Sequence, residues 1–256
     1  MMHIVRELTY GFLRILSLWR PHSGVYVLMY HSVGGRGPLS VSSAEFDWQM
    51  RYLARHYDVI PLSGVVARAA YGARRPAACI TFDDGLHDVY EHAAPILKKY
   101  SLPATFFITT GSIGGSHAAF YGSEQCMSIT EIRDLYCGGY EIGAHTVHHP
   151  KLADISSDRA RVEIIESKKM LESIIGAPIR SFAYPKGSYT DTVKKITETV
   201  GFESAVTTRE GVCRKTFDRL ALPRIAVDRL TGRMQFKGKL SPAVDIYEYL
   251  KKIVCR

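Results

Sequence analysis

ACITFDDG, residues 78–85, is an apolar run that stops on two adjacent carboxylates. Residues 78–82 read as a strand buried on both faces, as parallel sheets make them. Asp83 and Asp84 repel each other, and each needs water or a partner, so a strand interior would not hold them. Asp and Gly favour turns, and a capped loop explains the pair as well as chemistry does. What stands at the other strand ends decides between the two.

Outward from this stretch, strands and helices alternate. VYVLMYH (25–31) reads as a buried strand. Residues 42–56 read as a helix opened by the capping-box pattern Ser42-x-x-Glu45. DVIPL (58–62) is a short edge segment, with a short helix near 63–71. Residues 89–100 form a helix carrying Pro95, ATFFIT (104–109) a strand, and Ser128 opens a helix with a second capping box, Ser128-x-x-Glu131. YEIGA (140–144), SFAY (181–184), ESAVTT (203–208) and LPRIAV (222–227) are strands. Helices fall at 158–175, 191–200 and 244–254. This alternation predicts an α/β fold with a parallel sheet. About seven strands in one unit favour a distorted (β/α)7-type barrel over an open sheet. Residues 1–24 are an N-terminal amphipathic extension, and 25–256 one barrel domain.

In parallel α/β folds, ligand sites gather at the carboxyl ends of the strands. His31, the Asp83–Asp84 pair, His145 and Pro185-Lys186-Gly187 all stand at such ends. Within AHTVHHP (144–150), His145 and His149 lie on one side if the chain turns helically there, with His148 about 100° away. H-x-x-x-H alone is a weak signal. Two imidazoles and a carboxylate from a neighbouring strand end form a site for a first-row divalent metal with room for water and substrate. One Asp of the pair then binds the metal, which removes the repulsion, and the other stands beside it as a base.

TFDDG (81–85), HTVHHP (145–150) and FAYPKG (182–187) resemble the first three motifs of the polysaccharide deacetylase family, the NodB-homology or carbohydrate esterase 4 family. The resemblance spans about residues 25–227. It implies a distorted barrel that removes acetyl groups from sugars, with Asp83 as catalytic base and Asp84, His145 and His149 as metal ligands. It also implies a backbone N–H near Tyr184, in the Tyr184-Pro185 segment, for the oxyanion. Two positions depart from the family: Ala183 stands where an Arg is usual, and Lys186 where an aromatic is usual. No His follows His149 to serve as the family's late general acid. LMYHSV (28–33) is similar to the permuted subgroup that deacetylates poly-N-acetylglucosamine, in which a His after the first strand takes that place. That implies His31 as the acid and Arg224 as the replacement for the missing Arg beside Asp83. Tyr30 and Tyr184 are candidates to stack on a sugar ring.

The expected activity is therefore metal-dependent hydrolysis of the acetamide of an N-acetylated amino sugar in a polysaccharide or glycoconjugate. Zinc is the first choice of metal, with cobalt, nickel and iron also suited to the ligands. A glycoside hydrolase is the poorer alternative, because its two carboxyls must flank the bond about 5–9.5 Å apart. A non-catalytic carbohydrate-binding relative is the other.

Bulk properties set the remaining bounds. The 256 residues are 46% hydrophobic with a net charge of +8. No nucleic-acid motif or long basic run is present, so nucleic acid is not an expected partner. Five widely spaced cysteines without C-x-x-C fit a reducing compartment. Charges interrupt every apolar stretch of the first 24 residues, unlike a secretory signal. At 100° per residue, Ile4, Val5, Leu8, Phe12, Ile15, Leu16 and Trp19 share an arc of roughly 120°, with Arg6, Glu7 and Arg14 outside it. Residues 3–20 are thus expected either to lie on a membrane surface or to cover one end of the barrel. A cytoplasmic, membrane-associated location follows, with the periplasm or cell envelope as the alternative.

Overall fold

The computed structural model describes residues 2–16, 24–71, 75–119 and 122–254. In chain order the strands are β1 (Val25–Tyr30), β2 (Ser32–Val33), β3 (Ser40–Val41), β4 (Asp58–Val59), β5 (Ala77–Phe82) and β6 (Thr105–Ile108). Then come β7 (Ser116–Ala119), β8 (Gly122–Gln125), β9 (Glu141–Ala144), β10 (Ser181–Ala183), β11 (Ser204–Glu210) and β12 (Leu222–Ala226). The α-helices are α1 (Met2–Leu16), α2 (Ser43–His56), α3 (Val65–Tyr71), α4 (Ala94–Lys99) and α5 (Ile129–Cys137). They continue with α6 (Ser157–Ile175), α7 (Asp191–Thr199), α8 (Arg233–Lys239) and α9 (Ala243–Val254).

Strands β1, β12, β11, β10, β9, β6 and β5 run side by side and parallel, and β5 returns to β1. The closing pair is matched along its full length, from Val25↔Ala77 to Tyr30↔Phe82. This is the closed seven-stranded barrel expected from the alternation, with β4 added along the lower part of β5.

Because side chains alternate along a strand, the barrel strands feed two cores. Tyr26, Leu28, Ile80, Phe82, Phe106, Ile142, Phe182 and Ile225 join the large cluster under the helices. Val25, Val27, Ala77, Cys79, Phe107, Ala183, Val206 and Leu222 form a smaller cluster with Leu62 and Val65. This second set is the barrel interior. The same alternation carries His31, Thr81, Asp83 and Arg224 on the interior parity, so the barrel aims them inward at its carboxyl end.

Local signals account for the helix boundaries. Ser42 caps α2 by accepting from the Glu45 N–H. The Glu45 carboxylate turns to Arg233 at 3.3 Å. Ser128 and Glu131 form the full reciprocal capping box of α5, and Gly176, with φ +71°, ends α6. The helix expected over 89–100 is two pieces: a wide π turn, Val89–Ala93, and then α4. Pro95 has no N–H to donate back along the helix, and Ala94 reaches Val89 O instead. The hairpin β7–β8 and helix α8 were not expected. SHAA and GSEQ show no apolar alternation, and RMQFKGK contains a glycine within a short helix. That glycine, Gly238, lies against α1, where an added Cβ would come within 2.8 Å of the Tyr10 side chain. Trp19, Arg20 and Pro21 lie outside the described residues. No described helix is long and apolar enough to cross a membrane.

Candidate active site

The register of β1 on β5 sets Tyr30 opposite Phe82, so His31 and Asp83 leave the barrel side by side. The Asp83 N–H donates to Tyr30 O at 2.9 Å, extending the pairing one residue past the strand. Asp84 (φ +71°) and Gly85 (φ +73°) then take left-handed conformations in succession. Asp accepts this conformation more readily than most residues. At Gly85 a Cβ would also meet the Ile108 side chain at 3.1 Å. The sharp turn sends the two carboxylates to different partners.

Asp83 meets Arg224. The guanidinium is fully buried and donates Nη1–H to Asp83 Oδ1 at 2.7 Å and Nη2–H to Oδ2 at 2.6 Å. Its Nε donates to Thr207 O (2.9 Å), and Nη1 also reaches Thr81 Oγ1 (3.0 Å). Burial opposes the charge on Asp83, but Arg224, with smaller help from His145 and His31, holds the carboxyl below the usual range. Arg224 from β12 thus stands beside Asp83, while Ala183 occupies the position where the family usually has its arginine. His31 Nε2 lies 4.0 Å from Asp83 Oδ2, and its side chain is partly exposed where Asp83 is buried.

Asp84 meets the two histidines. Its Oδ1 lies 3.5 Å from His145 Nε2 and 3.4 Å from His149 Nε2, and the three ligand-type atoms are within 4.8 Å of one another. Burial again opposes ionisation, and His145, His31 and His149 reverse it, so the Asp84 carboxyl is held below its ordinary range. His145 Nδ1 lies 2.8 Å from Ala183 O. A carbonyl only accepts, so Nδ1 carries a proton, and in the neutral ring Nε2 is the bare nitrogen that faces Asp84. Burial lowers the His145 pKa, but Asp84 and Asp83 outweigh it and raise it. Asp84 Oδ1 is buried without a hydrogen-bond partner. Lone pairs converging on a buried, orphaned carboxylate oxygen call for a cation, and two imidazoles with one carboxylate are a donor set for a divalent transition metal. The residues present fit the group.

The loop holding the histidines is not the helical turn expected from their spacing. Thr146 (φ +65°) and His149 (φ +56°) are left-handed, at a cost of about 1–2 kcal/mol each, and this folds the rings to 4.8 Å centroid separation. Thr146 Oγ1 accepts the His149 N–H (3.0 Å). Glu163, buried on α6, accepts the N–H groups of Val147 and His148 through Oε2 (3.0 and 2.9 Å), and its Oε1 pairs with His148 Nδ1 (2.8 Å). His148 thus serves the clamp and not the cluster. Sequence reading missed Glu163. The signal was present: Ala160, Glu163, Ile164, Ser167 and Leu171 form the buried stripe of α6, and an acid on such a stripe needs a partner.

Other candidates move. Tyr30 and Tyr184 are both fully buried, and the Tyr30 hydroxyl donates to Gln49. Tyr184 stacks on Tyr189 with centroids 4.6 Å apart. Neither ring is open to a sugar, because each fills the core between barrel and helices. The Tyr184 N–H donates to Val206 O at 3.1 Å, so it belongs to the sheet and does not serve an oxyanion. Pro185 is buried beneath the turn. Lys186 is the exposed residue of that segment and has φ +56°. His87 pairs with Glu131 (2.8 Å) and His92 lies near Glu91 (3.7 Å).

A carboxylate held ionised at the mouth of a closed parallel barrel, next to a cation-seeking cluster, is hydrolase architecture. The family model described as polysaccharide deacetylase matches residues 71–205, and the chain belongs to that family. The chain is 29% identical to a putative polysaccharide deacetylase, YxkH, of Bacillus subtilis, over 78% of this chain and 70% of that protein. It is 27% identical to poly-beta-1,6-N-acetyl-D-glucosamine N-deacetylase of Staphylococcus aureus, over 73% and 68%. Among solved structures it resembles the Streptococcus pyogenes deacetylase PplD in complex with acetate, with TM-score 0.76 and 26% identity, covering 87% of this chain and all of that one. IcaB from Ammonifex degensii is similar at TM-score 0.75 and 27% identity, covering 86% and 98%. The family match includes Asp83, Asp84, His145 and His149. His31 and Arg224 lie outside it and arrive through β1 and β12, the strands that close the ring.

Proposed function

We propose that the protein hydrolyses the acetamide groups of an N-acetylglucosamine polymer with a divalent metal, zinc first, held by Asp84, His145 and His149. The carrying observation is their convergence on a buried, unpartnered carboxylate oxygen beside an Asp83 that Arg224 keeps ionised. When bound, such a metal supplies Lewis acidity for the acetamide carbonyl and the attacking water. Asp83 is oriented as the base that accepts the water's proton, because both its oxygens are fixed by one guanidinium. His31, 4.0 Å from Asp83 and open to the mouth, is placed to protonate the departing amine. Acetate and a free amino sugar result. The β-1,6-linked polymer is the first substrate to test, on the strength of the Staphylococcus relative's name. Acetate release from β-1,6- and β-1,4-linked N-acetylglucosamine oligomers, by the wild type and Asp83→Asn, tests the reading. Release from the β-1,6 series by the wild type alone is expected. Equal release by metal-loaded Asp83→Asn removes Asp83 as base.

A further inference from the structure

Helix α1 is seated on the barrel by the wrong face for an ordinary surface helix. Tyr10 and Leu13 are buried. Tyr10 stacks on Tyr247 of α9 at 4.5 Å, and the Glu7 carboxylate accepts the Gln235 N–H of α8 at 3.2 Å. The apolar arc points away: Leu8, Phe12, Ile15 and Leu16 are 60%, 62%, 64% and 56% exposed. An amphipathic helix normally buries that stripe and shows its charges. Here the mixed face is anchored, so the exposure does not come from an undocked helix. Met234 of α8, itself well exposed, extends the apolar surface.

The border of this surface selects its occupant. Arg14 and Lys237 flank a shallow groove between α1 and α8, and no carboxylate is among the side chains lining it. A second copy docking face to face would set these cations against their own counterparts with no acid to meet them. A contiguous apolar patch rimmed by cations complements the acyl boundary and anionic headgroups of a bilayer. We infer that α1 with the adjoining edge of α8 is a membrane-docking face: Leu8, Phe12, Ile15, Leu16 and Met234 enter an anionic lipid surface while Arg14 and Lys237 meet its headgroups. The inference is independent of the deacetylase mechanism.

Flotation of the full chain with vesicles of phosphatidylcholine, with or without 30% phosphatidylglycerol (about a third anionic lipid), tests it. The wild type floats with the anionic vesicles. Phe12→Asp/Ile15→Asp weakens partitioning at least about tenfold, and Arg14→Gln/Lys237→Gln about fivefold per cation at low salt. Both variants keep the cooperative thermal unfolding of the wild type, which shows that they fold. Wild type that stays at the bottom with anionic vesicles overturns the inference, as does unchanged flotation of Phe12→Asp/Ile15→Asp. A wild-type dimer in light scattering that Phe12→Asp/Ile15→Asp converts to monomer also overturns it, in favour of self-association.

Discussion

Asp83 remains charged in a buried setting because Arg224 meets it with two short, parallel hydrogen bonds. A buried charge pair of this kind is costly to break, since the remaining partner is left uncompensated. The arginine is itself held in place, donating to Thr207 O and Thr81 Oγ1 as well. His31 is different. It sits at the mouth, partly exposed, with Nε2 4.0 Å from Asp83 Oδ2, the position the proposed acid requires. His31→Ala is expected to retain bound metal and KM and to lose about 10²–10⁴-fold in kcat. Near-normal kcat would assign the acid elsewhere. The two Asp residues, His145 and His31 stood out because each follows an apolar strand run, and His149 through its spacing of four from His145. Arg224 was legible only by resemblance, since an arginine inside LPRIAV names no partner. That the Tyr184 N–H is taken by Val206 O was not legible, because sequence does not show which N–H groups a sheet has already used.

At the scale of elements, the metal-site loop depends on α6. Two left-handed residues in 145–149 are held by Glu163 and Thr146. Gly111 lets the loop approach, since a Cβ there would meet Val147 O at 2.6 Å. Glu163→Gln keeps size but sets an amide hydrogen where one of three donors now points. It should weaken metal binding about 10–100-fold in a competition titration with a chromophoric chelator. Unchanged affinity would show that the clamp does not position His149. A second element contact is coupled to pH. Asp88 accepts from Ser32 of β2, and burial, partly opposed by that bond, pushes its pKa up to about 6 from 3.8. The folded state therefore binds more protons than the unfolded one between about pH 4 and 6, and stability falls as pH rises through that window. Asp88→Asn should be more stable than wild type at pH 7, by up to about 3 kcal/mol. The gain should vanish below about pH 4. Denaturant titrations at both pH values check this, and a less stable variant at pH 7 contradicts it. Neither contact was visible in sequence, because each joins residues from separate elements through side-chain geometry.

For the whole molecule, closure of β1 against β5 is the decisive event. It brings the N-terminal His31 to the Asp pair, and its neighbour β12 brings Arg224 from the far end of the chain. The strand–helix alternation made the barrel readable, since short continuous apolar runs and capped helices report local physics. The β7–β8 hairpin and α8 escaped because tertiary packing, not local pattern, sustains them. α1 was legible as amphipathic, while the face it would bury was not: that depended on Tyr247, Gln235 and Gly238, more than 200 residues away in the sequence. The central claim is that this barrel deacetylates through a metal held by Asp84, His145 and His149. The most direct measurement is acetate release from a β-1,6-linked N-acetylglucosamine oligomer by chelator-stripped protein, with zinc titrated back and content verified by elemental analysis. No release from the stripped protein and full recovery at about one equivalent are expected for a single site of this kind. Undiminished release from protein shown to be metal-free would contradict it.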